Sequence, residues 1–423
     1  MKKFIVLTLI LMMTATLSVA QSGSTMTTTH PSSAERSIAE AQKLIQEKPA
    51  QYAGYNSLAM ALLRRARETS DPIFYAQAED AVRKSLQLAP KNFETEKIQV
   101  SILLGKHEFP AALNSAQALN EQIPDDVMVY GMLTEANAAL GNYKAAETAA
   151  QWMLDLRPGN LPALINAAHL RELFGDVEGS YQLLEMAYAS TPPTEDEERA
   201  SLLTQMGHLR LATGNTGAAE KLVQQALTAF PNYPFAFGVL AEVRTAQGRY
   251  EDALGLLRQR YESVPRAENL YDLAQALRLA NHAAEANRAF SEFATKSVLE
   301  SDKKNNSNRQ LIFYYADVAR EPVKALKVAT QEYSWRKDIY TLDAYAWALH
   351  VNGQDAEARK QIEAALAVGI SDAKLLRHAG EIALKAGDLT AARSYLKQAA
   401  ELNTPESEPA RLALASLAST PVH

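Results

Sequence analysis

The chain has no cysteine. That excludes disulfides, thiolate nucleophiles, thiolate metal sites and a cysteine-linked lipid anchor. β-branched runs are scarce, which argues against a sheet. Beyond the N-terminus no stretch approaches the roughly 18 uninterrupted apolar residues that a membrane span needs. No basic stripe is present and the formal net charge is −6, a balance that repels polyanions and argues against nucleic-acid binding. Catalytic signatures are missing as well: there is no G-x-S-x-G elbow, no H-E-x-x-H and no P-loop. Scattered Asp and Glu residues make no acid–base pair without a cleft that brings them together.

What remains is ample for folding. The 423 residues are 47 % hydrophobic and 22 % charged, too apolar for general disorder. Alanine and leucine recur throughout and favour helices. At the N-terminus Lys2 and Lys3 precede an apolar run from Phe4 to Leu17, and Ser18, Val19 and Ala20 place small residues where a signal peptidase cuts. The expectation is a signal peptide, 1–20, and a mature chain outside the cytoplasm, secreted or periplasmic. The alternative is a retained N-terminal anchor. Loss of Lys2 and Lys3 takes the net charge from −6 to −8. Residues 21–33, rich in Ser, Thr and Gly, read as a flexible leader.

The strongest signal is a period of 34 residues. From Val127 to Asn160 it runs through Leu133, Leu140, Gly141, Tyr143, Ala146, Met153 and Pro158. It returns with Ala168, Gly175, Ser180 and Pro192, then with Gly207, Gly214, Ala219 and Pro231, and again with Ala241, Gly248, Tyr250, Ala253 and Pro265. A helix of a dozen residues cannot bury its apolar side alone, whereas two joined by a glycine turn cover each other. Gly141, Gly214, Gly248, Gly353 and Gly387 fall at such turns. The alanines after them permit close approach, and the prolines end the second helix.

These residues resemble the tetratricopeptide repeat. GNYKAAETAAQWMLDLRPGN and GRYEDALGLLRQRYESVP carry the likeness, which covers roughly residues 52 to 406. The family implies an all-α, right-handed superhelical solenoid whose first helices line a concave groove. The spacing predicts ten hairpins, starting near Tyr52, Phe93, Val127, Leu161, Ala200, Pro234, Ala267, Asn306, Ile339 and Ala373. In the second, His107 stands at the glycine turn; in the seventh, Asn281. The eighth departs most, with Phe313 in a small position and Arg320 at the turn.

The organisation expected is a helix at 34–51, hairpins one to seven at 52–294, a polar linker at 295–305, hairpins eight to ten at 306–406, and a capping helix and tail at 407–423. Terminal helices are needed because the end repeats lack a neighbour. Irregular stretches occur at Ser70–Ile73, at the acidic Thr191–Arg199, which reads as a solvated loop or an extended helix start, and at Lys296–Arg309, which reads as a bridge between hairpins seven and eight with room for an extra turn of helix. Exposed insertions of this kind do not disturb a stack.

The register places Glu135, His169, His208, Glu242, Gln275, Tyr314, Trp347 and Glu381 in one inward column. Glu172, Tyr271, Arg278, Asp317, Tyr340, Asp343 and His350 stand beside it. Such a mixed surface suits a linear peptide or a partner helix: Arg278 to pair with a carboxylate, Tyr271, Tyr314, Tyr340 and Trp347 to cover apolar side chains. Trp347 either faces the groove or packs between hairpins. The basic residues that grip a chain terminus in some members of the family are not evident. His169 and His208 lie in adjacent hairpins about 10 Å apart, too far for an easy shared zinc. Asp343 and His350 are two turns apart on one helix, too far for direct proton transfer. The functional expectation is a non-enzymatic scaffold or adaptor for a protein or peptide, with no cofactor and no nucleic acid. A self-associating homo-oligomer that uses its edge or convex side is the alternative. A metal-binding or catalytic envelope protein is a distant third.

Overall fold

A computed structural model describes residues 31–304, 306–402 and 404–418. The expected signal peptide and most of the expected leader lie outside the described residues. Within them the chain is entirely helical, twenty-two α-helices and one five-residue π-helical turn paired into antiparallel hairpins. First helices start at Tyr52, Phe93, Val127, Leu161, Pro234, Ala267, Ile339 and Ala373, as the periodicity requires. Asx side chains cap several of them: Asn92, Asp126, Asn160, Asp338 and Asp372 each accept from a backbone N–H of the first turn, each typically worth about 0.5–2 kcal/mol.

Ten left-handed residues mark the ten hairpin turns: Ser70, His107, Gly141, Gly175, Gly214, Gly248, Asn281, Arg320, Gly353 and Gly387. The non-glycine members pay for the conformation that glycine adopts freely. After the turns, Ala146, Ala219 and Ala253 are fully enclosed and let each second helix lie close on its partner.

The stack winds back onto itself. The Arg266 guanidinium donates to the Ser70 carbonyl at 3.3 Å, and the Ile339 N–H donates to the Tyr143 hydroxyl at 2.9 Å, both across 196 residues. Lys337 N donates to Ala139 O at 3.2 Å. A Cβ on Gly175 would overlap the Gly369 carbonyl. The turns of hairpins one, three and four thus meet the starts of hairpins seven, nine and ten. One apolar cluster crosses the seam, with Ala138, Leu170 and Leu173 packed among Ile339, Leu342, Leu349 and Ile382. The concave face expected to stay open along its length is therefore closed into an inner channel wherever the second superhelical turn seats on the first.

The irregular stretches do specific work at this closure. The first helix of hairpin five is Asp196–Ala212, four residues longer than the period requires. Its extra turn carries Glu195 to Arg64 and Glu197 to within 3.9 Å of Arg67. The acidic stretch takes the extended-helix form of its two readings, and its carboxylates fasten hairpin five to hairpin one. In the 295–305 segment, the helix Ala283–Glu300 continues beyond the expected end of hairpin seven. The residues that follow are not a solvated spacer. Asn306 and Asn308 donate to Glu332 at 3.3 and 3.0 Å, Gln331 donates to the Ser301 carbonyl at 2.8 Å, and Ser297 and Ser307 share a 2.7 Å hydrogen bond. Arg336 pairs with the second Glu332 oxygen. Both partners are buried, and such a pair survives burial only with its hydrogen bonds filled. Hairpin eight then runs Asn308–Phe313 and a π-helical turn Tyr314–Val318. The π turn takes up one extra residue beside the bulky Phe313.

Both ends are covered. The helix Ser33–Glu47 begins with a Ser32–Glu35 capping box, and Ala34 N donates to the buried Glu68 at 3.1 Å. At the far end Ser407–Ala418 lays Ala410 and Leu414 over Leu376 and Leu396.

Candidate functional site

The first helices line an open-sided cavity of about 810 Å³ on the inner side of the superhelical turn. Its floor comes from hairpins four to seven: Ile165 and Glu172, then Ser201, Gln205 and His208, then Phe235, Val239 and Glu242, then Glu268, Asn269 and Asp272. Arg67, Tyr75 and His107 of hairpins one and two close one wall. A second chamber of about 270 Å³ shares Glu172, His208 and Glu242 and is closed by Tyr340, Asp372 and Lys374.

The column splits in two. Glu135, His169, His208 and Glu242 are exposed, and His208 and Glu242 line the cavity. Glu172 is half-buried and accepts from His208 at 3.3 Å. Burial alone would lower the His208 pKa, but the hydrogen bond to Glu172 and the charges of Glu242, Glu172 and Asp372 overcome it and hold the pKa at about 9. His208 is a cation at neutral pH. Glu135 and Glu242 touch water yet are walled by protein, and this incomplete hydration raises both carboxyl pKa values. His169 is shifted the other way, kept neutral chiefly by the same desolvation.

The other half is dry. Trp347 is 6 % exposed, stacks on His378 with ring centroids 4.2 Å apart, and donates from Nε1 to Asp317 at 2.8 Å. Tyr271 is 7 % exposed, sits against Phe290 and Phe293, and accepts from Gln275 at 2.7 Å. Asp343 is 3 % exposed and bonded to His378 at 2.6 Å. Tyr271 and Asp343 were expected on an accessible face and are instead inside the protein, and Trp347 takes the packed one of its two expected places, because the rings of hairpins seven to ten fill the concavity that hairpins three to six leave open. Tyr314 is half-buried against Phe290 and Phe293, and His350 is held by Asp355 at 2.8 Å. Arg278 is exposed, near the Phe290 ring. Of the expected aromatic patch, only Tyr340 lines a chamber.

The Asp343–His378 pair has the outward form of a catalytic dyad. Arg377 lies 3.0 Å from His378 Nε2 and can only donate, so the imidazole proton sits on Nδ1 and points at Asp343. Burial pushes the Asp343 pKa up to about 7 against the opposing charges of Lys374 and Arg377. Burial, then those same cations, hold His378 well below its ordinary value. No nucleophile reaches the ring, and the pair is sealed from solvent. Among the described residues no group of three or more His, Asp or Glu side chains is placed to hold a metal ion. No helix among them is long and apolar enough to cross a membrane.

The sequence reading missed most of the cavity floor. Ser201 and Gln205 precede His208 by two turns and one turn on the same helix face, and Phe235 and Val239 precede Glu242 in the same way. Extending the column towards the helix N-termini finds them. Nothing in the local pattern brings Arg67, Tyr75 or His107 here, because the superhelical closure delivers them.

No protein-family profile matches the chain, and no curated protein matches it. Solved structures do. The human IFIT1 dimer with m7Gppp-AAAA is 15 % identical, covering 87 % of this chain and 85 % of that one, with a TM-score of 0.50. PilW, described as a widely conserved type IV pilus biogenesis factor, is 18 % identical over 49 % of this chain and 94 % of its own, with a TM-score of 0.42. MamA protein is 16 % identical over 41 % of this chain and 93 % of its own, with a TM-score of 0.32. At these identities the likeness bears on fold alone, an all-helical repeat solenoid.

Proposed function

We propose that the protein is an exported, non-enzymatic scaffold that holds a polypeptide segment in its inner channel. The observation that carries this reading is the cavity, with first helices of four successive hairpins presenting polar side chains to an open-sided space of about 810 Å³. Its elongated, mixed lining supports an extended peptide over a compact apolar ligand. The IFIT1 structure contains a capped RNA, but the carboxylates around this channel disfavour a polyanion. The organisation into a leader, ten hairpins and end caps, and the place of Tyr340, Glu242 and His208 among the partner contacts, belong to the same proposal.

A photo-crosslinking amino acid at Gln205, which lines the cavity, tests it against the same label at the exposed Lys144 on an outer helix. We expect a polypeptide adduct at position 205 and none at 144 in cells that make the full chain. Equal labelling, or none at 205, would end this reading. Self-association without an adduct would favour the structural alternative. Sequencing of the protein from the native envelope should find Gln21 at its N-terminus.

A further inference from the structure

We infer that the cavity recognises a cationic segment, the lysine or arginine side chains of an extended basic peptide. This rests on the reading above and adds the chemistry of the partner.

Charge accounting comes first. Each arginine lining the cavity already faces a carboxylate: Arg260 meets Asp272 at 2.8 Å, Arg266 meets Glu268 at 2.9 Å, and Arg67 lies 3.9 Å from Glu197. His208 is taken by Glu172. Glu198 and Glu242 stand over and above these pairs: neither makes a hydrogen bond or ion pair among the described residues, Glu242 meets the charges of His208 and Arg260 only at longer range, and both line the space. A carboxylate that lines a cavity without a contacting cation favours an incoming one.

A second observation is independent of charge. Asn269 is 3 % exposed and forms part of the cavity wall. Its Nδ2 donates to the Val264 carbonyl at 2.8 Å, while its Oδ1 has no donor. Buried acceptors are rarely left unmet. An N–H entering from the cavity would meet it, as an ammonium, a guanidinium or a peptide backbone would.

The rest of the wall says what kind of cation fits. The carboxylates are too dispersed to surround a metal ion. Between them lie Tyr75, Tyr233, Phe235 and Val239. Lysine and arginine carry long apolar stems that lie along such surfaces while the head group finds a carboxylate or a ring face. The volume lies within the range of pockets that enclose a small ligand. It admits a few side chains of an extended strand, not a folded domain.

Calorimetric titration of the full mature chain tests this with three probes: acetylated tetralysine amide, acetylated tetraglutamate amide and spermidine. We expect tetralysine to bind and tetraglutamate not to, with affinity falling as salt rises. The double variant Glu198→Gln/Glu242→Gln should weaken tetralysine about tenfold or more, with unchanged helicity and melting temperature. Asn269→Leu should weaken it while leaving the salt dependence in place. Absence of tetralysine binding, or binding undiminished in the double variant, overturns the inference. Spermidine binding as tightly as tetralysine overturns its peptide part in favour of a free polyamine. A polypeptide crosslinked at Gln205 with no tetralysine binding would sink only the charge assignment. Failure of the crosslink would sink the holding reading itself.

Discussion

Hairpins three to six and hairpin nine place their residues in the same repeat register, yet they treat that position in opposite ways. In the first group Glu135, His169, His208 and Glu242 face water, the last two of them in the cavity. In hairpin nine the equivalent Trp347 lies against His378 and donates to a half-buried aspartate. Position within a repeat fixes which way a side chain points, while its surroundings depend on what the superhelix brings opposite. Where rings from neighbouring hairpins meet, the concavity is core. Where short and charged side chains meet, it is cavity.

The difference can be broken first at its dry end. Trp347→Ala should cost about 3–5 kcal/mol, the usual price of deleting a buried large aromatic, whereas His169→Ala should stay within about 0.5 kcal/mol. Urea titration followed by circular dichroism reads both. If the two variants unfold together, the wet and dry halves are not distinct. Glu332→Ala belongs with Trp347→Ala at about 3–5 kcal/mol, because it leaves Arg336 buried and unpaired.

The seam can be separated from the stack by two glycine turns. Gly248→Val meets open space and is opposed only by its positive φ, about 1–2 kcal/mol. Gly175→Val has the same backbone penalty and also collides with the Gly369 carbonyl, adding about 1–3 kcal/mol. Equal melting temperatures for the two variants would show that the second superhelical turn does not press on the first.

Acid should act on the seam next. Burial, followed by the charges of Arg336, Arg309 and Arg266, lowers the His107 pKa to about 3. The unfolded chain takes up this proton near pH 6.5 and the folded chain does not. Stability from His107 is therefore full above pH 6.5 and falls as the pH drops towards 3. His107→Asn keeps a residue that tolerates the left-handed turn and should flatten that part of the pH profile. A profile unchanged by the substitution would contradict the assignment.

The smallest effect belongs to the channel. His208 has its folded pKa raised to about 9, so its pairing with Glu172 stabilises fully below about pH 6.5 and is lost as pH rises through 9. The ring is partly exposed and screened, so His208→Gln should cost below about 1 kcal/mol at pH 6 and nothing at pH 10. A larger loss would mean that the channel is drier than its exposure indicates.

These contrasts show what a sequence of this kind carries. Hairpin starts at Val127, Leu161, Pro234 and Ile339 were legible because glycine turns, alanine contacts and proline stops repeat locally. His107 and Asn281 were rightly placed at turns, for both adopt the left-handed conformation there. Burial of Asp343 was not legible, and that of Trp347 was only one of two open readings. Both depend on His378 and Asp317, each 30 or more residues distant, and repeat register says nothing about which of two facing columns is bulky. The acidic run at Glu195–Glu198 was legible as an extended helix start but not as a fastening, because its partners, Arg64 and Arg67, lie more than a hundred positions earlier.

The meshing of hairpins one, three and four with seven, nine and ten has a consequence for the gene as well as the fold. An open solenoid can gain or lose a unit anywhere and merely become longer or shorter. Here an added or deleted hairpin between the meshed pairs would bring Gly175 opposite something other than Gly369, and Tyr143 opposite something other than Ile339. The number of intervening units becomes a property that mutation cannot change one step at a time. Drift is left to the outer faces and the ends, while the length between mating turns is locked like the tooth count of a gear.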